Sequence, residues 1–180
     1  MELTDVAPLE TWSELEQEIN KRSGLNASVF NADGIRITNF VKWANNLCPA
    51  IKGNAKGQNY ICSVAHQNIA ARSAKTHEPV IETCDAGMIK LVVPIFVNDE
   101  FLGVAGGCGC LEKEEEIDTF LIKQTTGINE EDLVNLAEDI PLMTRSEAET
   151  IAAYIKNKID GLLKVKIRAQ RARLWVTPEG

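Results

Sequence analysis

Apolar positions along the chain follow helical spacing at both ends and strand-like runs in the middle. Between Pro8 and Ser23, Leu9, Trp12, Leu15 and Ile19 recur at intervals of three and four, which predicts an amphipathic helix closed by Gly24. Two short β-rich runs follow, over 26–30 and 35–40. The turn between them, Asn31-Ala32-Asp33-Gly34, carries an Asp-Gly pair suited to a tight hairpin. Residues 42–53 predict a short helix or irregular turn interrupted by Pro49. Asn54 can then cap a longer helix reaching about Thr76, with Tyr60, Ile61, Val64, Ala65 and Ile69 on its buried side.

A second β region spans 79–84, 89–97 and 101–110, with Asn98-Asp99 as the turn between the last two. The run from Leu91 to Val97 is apolar except at Pro94, as in a strand covered on both faces, and the proline points to an edge or a bulge. The remaining chain is helical in pattern. A helix over 112–124 would turn Ile117, Phe120 and Leu121 inward and place its acidic residues near the start. Asn129 begins another. Thr144 or Ser146 can cap the last helix, with Glu147 or Glu149 three residues on. Its apolar stripe is Ile151, Ile155, Ile159, Leu162 and Leu163, continuing through Val165, Ile167 and Ala169. Hairpins with helices segregated between them imply an α+β fold, not repeated βαβ units. The expected organisation is one folded unit over 1–145, a C-terminal helix over 146–174 and a tail over 175–180.

Charge changes this picture at one end. The 180 residues carry a formal net charge of −7, yet seven of the basic residues lie between Lys156 and Arg173 against one acid, Asp160. The rest of the molecule is strongly acidic, which argues against nucleic-acid binding by the core; the basic stretch fits a solvated helix face. No apolar run approaches the roughly 20 residues needed to span a bilayer. The first residues, MELTDVAPLE, lack the basic-then-apolar pattern of a secretory signal, so a cytoplasmic location is expected.

The five cysteines, Cys48, Cys62, Cys84, Cys108 and Cys110, all fall in the central part of the chain. Their odd number, with no export signal, argues against a disulfide framework. Cys62 and His66 are four apart on a predicted helix and share a face. Cys108 and Cys110 are two apart on a predicted strand, which would put both on one side of the sheet. Cys84 ends a strand and Cys48 precedes the helix of Cys62. Thiolates with an imidazole suit zinc, or an iron–sulfur cluster if the set is mainly cysteine. The same residues also fit small buried hydrophobes, since free cysteine is among the most buried types and no Cys-X-X-Cys pair is present. His66 alone fits a packed helix residue and His77 a surface turn. The glycines of GVAGGCGC lack the Lys-Ser/Thr of a nucleotide loop and point instead to a bulge or close approach. Asp85 beside Cys84 can orient a ligand, and Trp43, Tyr60 and Phe96 can line a pocket.

Three segments, LCPAIKGN, Cys62 with the Ala-rich helix after it, and VIETCDAGMIKLVVPIFVNDEFLGVAGG, resemble the PocR sensory domain family. The specific positions are Cys84, Ala86 and Gly87 at the turn, Pro94 and Ile95 in the strand, and Leu102, Gly103, Gly106 and Gly107 in the next. The resemblance implies a PAS-like five-stranded antiparallel sheet cupping a ligand pocket, in a regulator whose output lies in a partner or further domain. One departure is the Cys108-Gly109-Cys110 run, which stands where the family commonly has a Gly-Gln pair. The first expectation is therefore a sensor, its pocket holding either a small organic ligand or a metal or iron–sulfur centre on the six residues Cys48, Cys62, His66, Cys84, Cys108 and Cys110. Occupancy would be relayed through the C-terminal helix, whose stripe also suits a homodimer. The alternatives are an enzyme with a thiolate nucleophile, Cys84 with His66, and a dimerisation module without ligand.

Overall fold

The computed structural model describes residues 1–174, with side chains through Arg168. The side chains of Ala169, Arg171 and Arg173, and the whole of the tail 175–180, lie outside the described residues. In chain order the elements are α1 (Leu3–Val6), α2 (Leu9–Ser23), β1 (Asn26–Asn31), α3 (Leu47–Gly53), α4 (Ala55–Gly57), a π-helical turn (Gln58–Ser63), α5 (Val64–Thr76), β2 (Val80–Thr83), β3 (Met88–Val97), β4 (Glu100–Glu112), α6 (Thr119–Thr126), α7 (Glu130–Ala137), β5 (Leu142–Met143) and α8 (Arg145–Leu174).

The expected α+β class, five-stranded sheet and long C-terminal helix are all present. Strands lie in the order β1-β4-β3-β2, each antiparallel to its neighbour. The fifth strand is not the anticipated 35–40 run. It is β5, which pairs parallel with Leu111 and Glu112 at the end of β4. Residues 35–40 keep an isolated bridge, Phe30 to Arg36, with backbone bonds from Asn31 N to Ile35 O at 2.9 Å and from Ile37 N to Val29 O at 3.1 Å. They form no strand beyond it because their side chains are drawn elsewhere. Arg36 Nη2 donates to Ala27 O at 2.7 Å and to Phe40 O, and Thr38 Oγ1 donates to both carboxylate oxygens of Glu16 at 2.6 Å. Those polar anchors hold the chain off the ladder.

Other local expectations shift for equally local reasons. Pro49 does not interrupt α3; it sits in the first turn, where its missing N–H costs no helical bond. Asn54 does cap the next helix, accepting from Lys56 N and Gly57 N, but that helix runs through a π-turn before α5 begins. The acidic stretch predicted as a helix start over 112–118 is instead the end of β4 and a turn. Helix α6 is capped by Asp118 and buries Ile122, while Phe120 is exposed. At α8 the capping box is Thr144 with Glu147: Glu147 N donates to Thr144 Oγ1, and Thr144 N donates back to Glu147 Oε2.

The alternation of β3 sorts the interior into two layers. Ile89, Leu91, Val93, Ile95 and Val97 face α2 and α8, where Trp12, Leu15, Ile19, Ala152, Ile155 and Ile159 complete the larger core. Trp12 is wholly buried and its Nε1 donates to Leu3 O and Ala7 O, which fastens α1 to α2. Met88 and Val92 face the opposite layer. There α3, the π-turn, α6 and α7 enclose Leu47, Ile51, Ile61, Ile122 and Leu133, and α5 covers Val92 and Val104 with Ile69. Pro94 lies beyond the last residue of β3 that β2 pairs, Val92, so its missing donor faces an open edge. Asn98 and Asp99 both have positive φ, 48° and 64°, and close the β3-β4 hairpin in the turn type whose twist suits it. Past Leu163 the stripe of α8 leaves the body, and Val165 and Ile167 are exposed.

One irregularity in β4 decides where the thiols point. On β3, Ile89 and Lys90 are adjacent; their partners on β4 are Cys110 and Cys108, leaving Gly109 unpaired at φ 110°. This bulge reverses the alternation. Cys108 therefore faces the α5 layer and Cys110 the α8 core, not one common side as simple strand spacing predicts.

Candidate functional site

Lys90 is the one charged residue in the apolar strand Met88–Val97, and it opens onto a cleft between the sheet and the π-turn. The cleft holds about 150 Å³. Its floor is Asn26, Ser28 and Phe30 from β1, Lys90 from β3 and Cys108 from β4. One wall is Gln58, Cys62 and Ser63 from the π-turn with His66 and Gln67 from α5. The other is Asp33, Gly34, Arg36 and Trp43 from the loop after β1, with Lys52 of α3 at the mouth. The π-turn widens the helix by one residue per turn exactly where it borders the cleft, a placement in which such turns are often functional.

Unsatisfied polar groups gather here. Among the described residues, the buried side-chain nitrogen and oxygen atoms without a hydrogen-bond partner are Asn26 Oδ1, Arg36 Nε, Gln58 Oε1 and both ring nitrogens of His66. All four residues line this one cleft. Such orphans are rare in folded proteins because each costs roughly 1–3 kcal/mol of lost solvation.

His66 is 8% exposed and its ring lies 4.0 Å from that of Phe30. Burial first, then the positive charges of Lys90 and Lys52, push its pKa down from 6.5 to about 4. The unfolded chain therefore takes up a proton near pH 6.5 that the folded protein refuses. Stability is full above that pH and falls as pH drops toward 4, at about 1.4 kcal/mol per unit. Between pH 7 and 5 the native protein is expected to lose about 2 kcal/mol in urea unfolding, and a His66→Phe variant to lose almost none. Equal losses in both proteins would place the acid sensitivity at another group.

Arg36 reaches out of the cleft into the α2 layer. Its Nη2 donates to Glu16 Oε1 at 3.3 Å, and Glu16, wholly buried, also accepts from Val29 N at 2.8 Å and from Thr38. Burial raises the Glu16 pKa, opposed by the Thr38 and Arg36 bonds.

The thiols divide between layers. Cys48, Cys62 and Cys84 pack at the edge of the α3–α7 core, and Cys48 Sγ lies 3.5 Å from Met88 Sδ. Asn45 fixes this corner, donating from Nδ2 to Gly109 O at 2.6 Å and accepting from Cys48 N at 2.7 Å. Burial raises the pKa of all three thiols, Cys62 to about 11, and the nearby Cys108 adds to each rise. Cys110, on the other face, is pushed up to about 11. These groups stay protonated at neutral pH and are weak nucleophiles. His66 makes no hydrogen bond, so the Cys84–His66 pair that a thiolate enzyme needs is not formed.

Of the six residues considered for a metal, Cys62, His66 and Cys108 line the cleft, Cys48 and Cys84 stand in the core beside it, and Cys110 is separated by the sheet. Among the described residues no three His, Cys, Asp or Glu side chains form a group that could hold a metal ion. Of the residues considered for an organic ligand, only Trp43 lines the cleft. Cys84 and Asp85 sit at the β2-β3 turn, Tyr60 is exposed on the π-turn, and Phe96 stacks on His77, which caps α5 at φ 59°. Asn26, Ser28, Arg36, Gln58 and Lys90 were not singled out by sequence reasoning. A signal existed for Lys90, an isolated charge in an apolar strand, and for Asn26 and Ser28, polar residues in alternation.

A protein-family model described as "Sensory domain found in PocR" matches residues 5–166. The chain belongs to the PocR sensory domain family. No curated protein and no solved structure compared with it matches. Membership confirms the resemblance carried by the central segments and extends it over both terminal helical regions, including most of α8. This PocR-family domain has a sensory role in signal transduction. No helix among its described residues is long and apolar enough to cross a membrane.

Proposed function

We propose that this sensory domain binds a small polar organic molecule in the cleft of Lys90 and His66 and passes occupancy to α8. The observation that carries the reading is that every buried side-chain nitrogen or oxygen without a partner, among the described residues, belongs to a residue lining this cleft. A ligand that pairs those atoms removes their penalty and so favours the occupied form. Arg36 supplies a route outward. It holds Glu16 on α2, and the same helix grips α8 through Glu18, which pairs with Lys158 at 2.7 Å and accepts from the Tyr154 hydroxyl. Arg22 of α2 also lies over the Tyr154 ring at 4.2 Å.

Ser28 lies on the cleft floor, and a Ser28→Phe substitution should plug it. A panel of small polar organic compounds is expected to raise the melting temperature of the native protein and to leave Ser28→Phe unchanged. Shifts of equal size in both proteins would move the ligand to another surface. Elemental analysis of protein purified without oxygen tests the other occupant suggested by the cysteines. Near-stoichiometric iron or zinc, lost in Cys62→Ser, would replace the organic ligand with a thiol-held centre; metal-free protein supports the ligand reading.

A further inference from the structure

Resting on that reading of the cleft, we infer that its ligand is a small oxyanion, a monocarboxylate bearing a hydroxyl group, seated between Lys90, Arg36 and His66. Three features of the wall argue for an acceptor-rich, negatively charged molecule. The first is net charge. With Arg36 already paired to Glu16, Lys52 and Lys90 face one carboxylate, Asp33, across the cleft. Neither lysine is in an ion pair among the described residues, and both charges reach the buried His66 strongly enough to depress its protonation. An anion would relieve that mutual repulsion.

The second is donor geometry. Arg36, a residue of the cleft wall, commits Nη2 to Glu16, Ala27 O and Phe40 O, and keeps Nε buried and unpartnered. A guanidinium nitrogen can only donate. Neutral His66, more than nine-tenths buried, presents one donor and one acceptor with neither used. The unpartnered atoms of Asn26, 5% exposed, and Gln58 are amide oxygens, which only accept, so they call for a ligand hydroxyl as donor beside the carboxylate.

The third is size. A volume of about 150 Å³ equals roughly five water molecules at 30 Å³ each. That admits a molecule of about five to seven non-hydrogen atoms, the scale of a short hydroxy acid.

The test compares charge at constant shape. Lactate and glycerate are titrated by calorimetry at low salt into the full chain, against lactamide and glycerol. The acids are expected to bind at least tenfold tighter than their neutral counterparts, with an affinity that falls as salt is added. Lys90→Met should cost tenfold or more, and Lys90→Arg, which keeps the charge, should retain most of it. In nuclear magnetic resonance the His66 ring should titrate at higher pH with lactate bound than without, because an anion favours the protonated ring.

Two results would overturn the inference, and they differ in what else falls. If lactamide or glycerol binds as tightly as the acids and Ser28→Phe abolishes that binding, the ligand is neutral while the cleft remains the site. If no probe binds the native protein and Ser28→Phe leaves thermal shifts with the wider panel unchanged, the cleft itself is not the site.

Discussion

Gly106→Ala is expected to yield no folded protein. Gly106 lies in the middle of β4, paired to Val92 on one side and Ser28 on the other. A Cβ there would stand 2.0 Å from Leu91 O and 2.9 Å from both Leu91 C and Val92 Cα. All three are backbone atoms of β3, a strand fixed between β2 and β4 with core residues on both faces, so they have nowhere to move. Accommodating one methyl group would mean separating the β3-β4 ladder that organises both layers. The cost exceeds about 4 kcal/mol, against a typical total stability of about 5–15 kcal/mol. Soluble yield and circular dichroism read the outcome. Gly161→Ala is the matched control: it sits in α8 with nothing within 4 Å of the added atom, and should stabilise the helix by about 0.5–1 kcal/mol. A folded Gly106→Ala protein of near-native stability would mean that β3 and β4 do not approach as closely as described.

Glu16→Ala should destabilise the protein by about 3–5 kcal/mol, the range seen when one partner of a buried ion pair is removed. The carboxylate accepts from Val29 N, Thr38 Oγ1 and Arg36 Nη2, and its side chain is wholly buried. Removing it leaves an amide, a hydroxyl and part of a guanidinium without a partner in a space closed to solvent. It also frees the loop that carries Arg36 and Trp43, so ligand response should weaken beyond the loss of stability. Urea unfolding measures the first effect and thermal shift with a binding compound the second. A Glu16→Leu/Arg36→Met double variant separates charge from packing: it should recover part of the stability, since neither charge is left uncompensated, without recovering the ligand response. A Glu16→Ala protein within about 1 kcal/mol of native would show that water reaches this corner.

Much of the fold was legible because hydrophobic period reports directly on burial. The Leu9–Ser23 helix, the three strands after His77 and the final helix were all visible, and Asn54, Asn129, Thr144 and Gly24 marked their ends. What escaped was decided by contacts distant in sequence. The 35–40 run has strand composition, yet Arg36 and Thr38 are claimed by Glu16, some 20 residues earlier. Strand β5 has two residues and no pattern to read; it exists because β4 leaves an edge open beyond β1. The cleft was harder still. Cysteine clustering drew attention to the right layer, but Cys110 was carried out of it by a glycine bulge that strand spacing does not reveal. The residues with unmet hydrogen bonds, Asn26, Arg36 and Gln58, look in sequence like ordinary surface polar groups, since only three-dimensional packing shows that they are sealed from water.

The unpaired glycine at position 109 also sets a parity rule for this strand. Between Gly103 and Cys108, even-numbered residues such as Val104 and Cys108 face one layer; downstream of the glycine, Cys110 faces the other and Leu111 takes the first. Gly109 acts as a phase slip in an alternating code. Deleting it would restore strict alternation, and Cys110 and everything after it would exchange inside for outside up to the junction with β5. Insertions and deletions in this stretch are therefore compatible with the fold only in steps that preserve the phase, two residues at a time. Homologous chains of differing length should place their changes in the turns at either end of the strand and leave its interior count fixed.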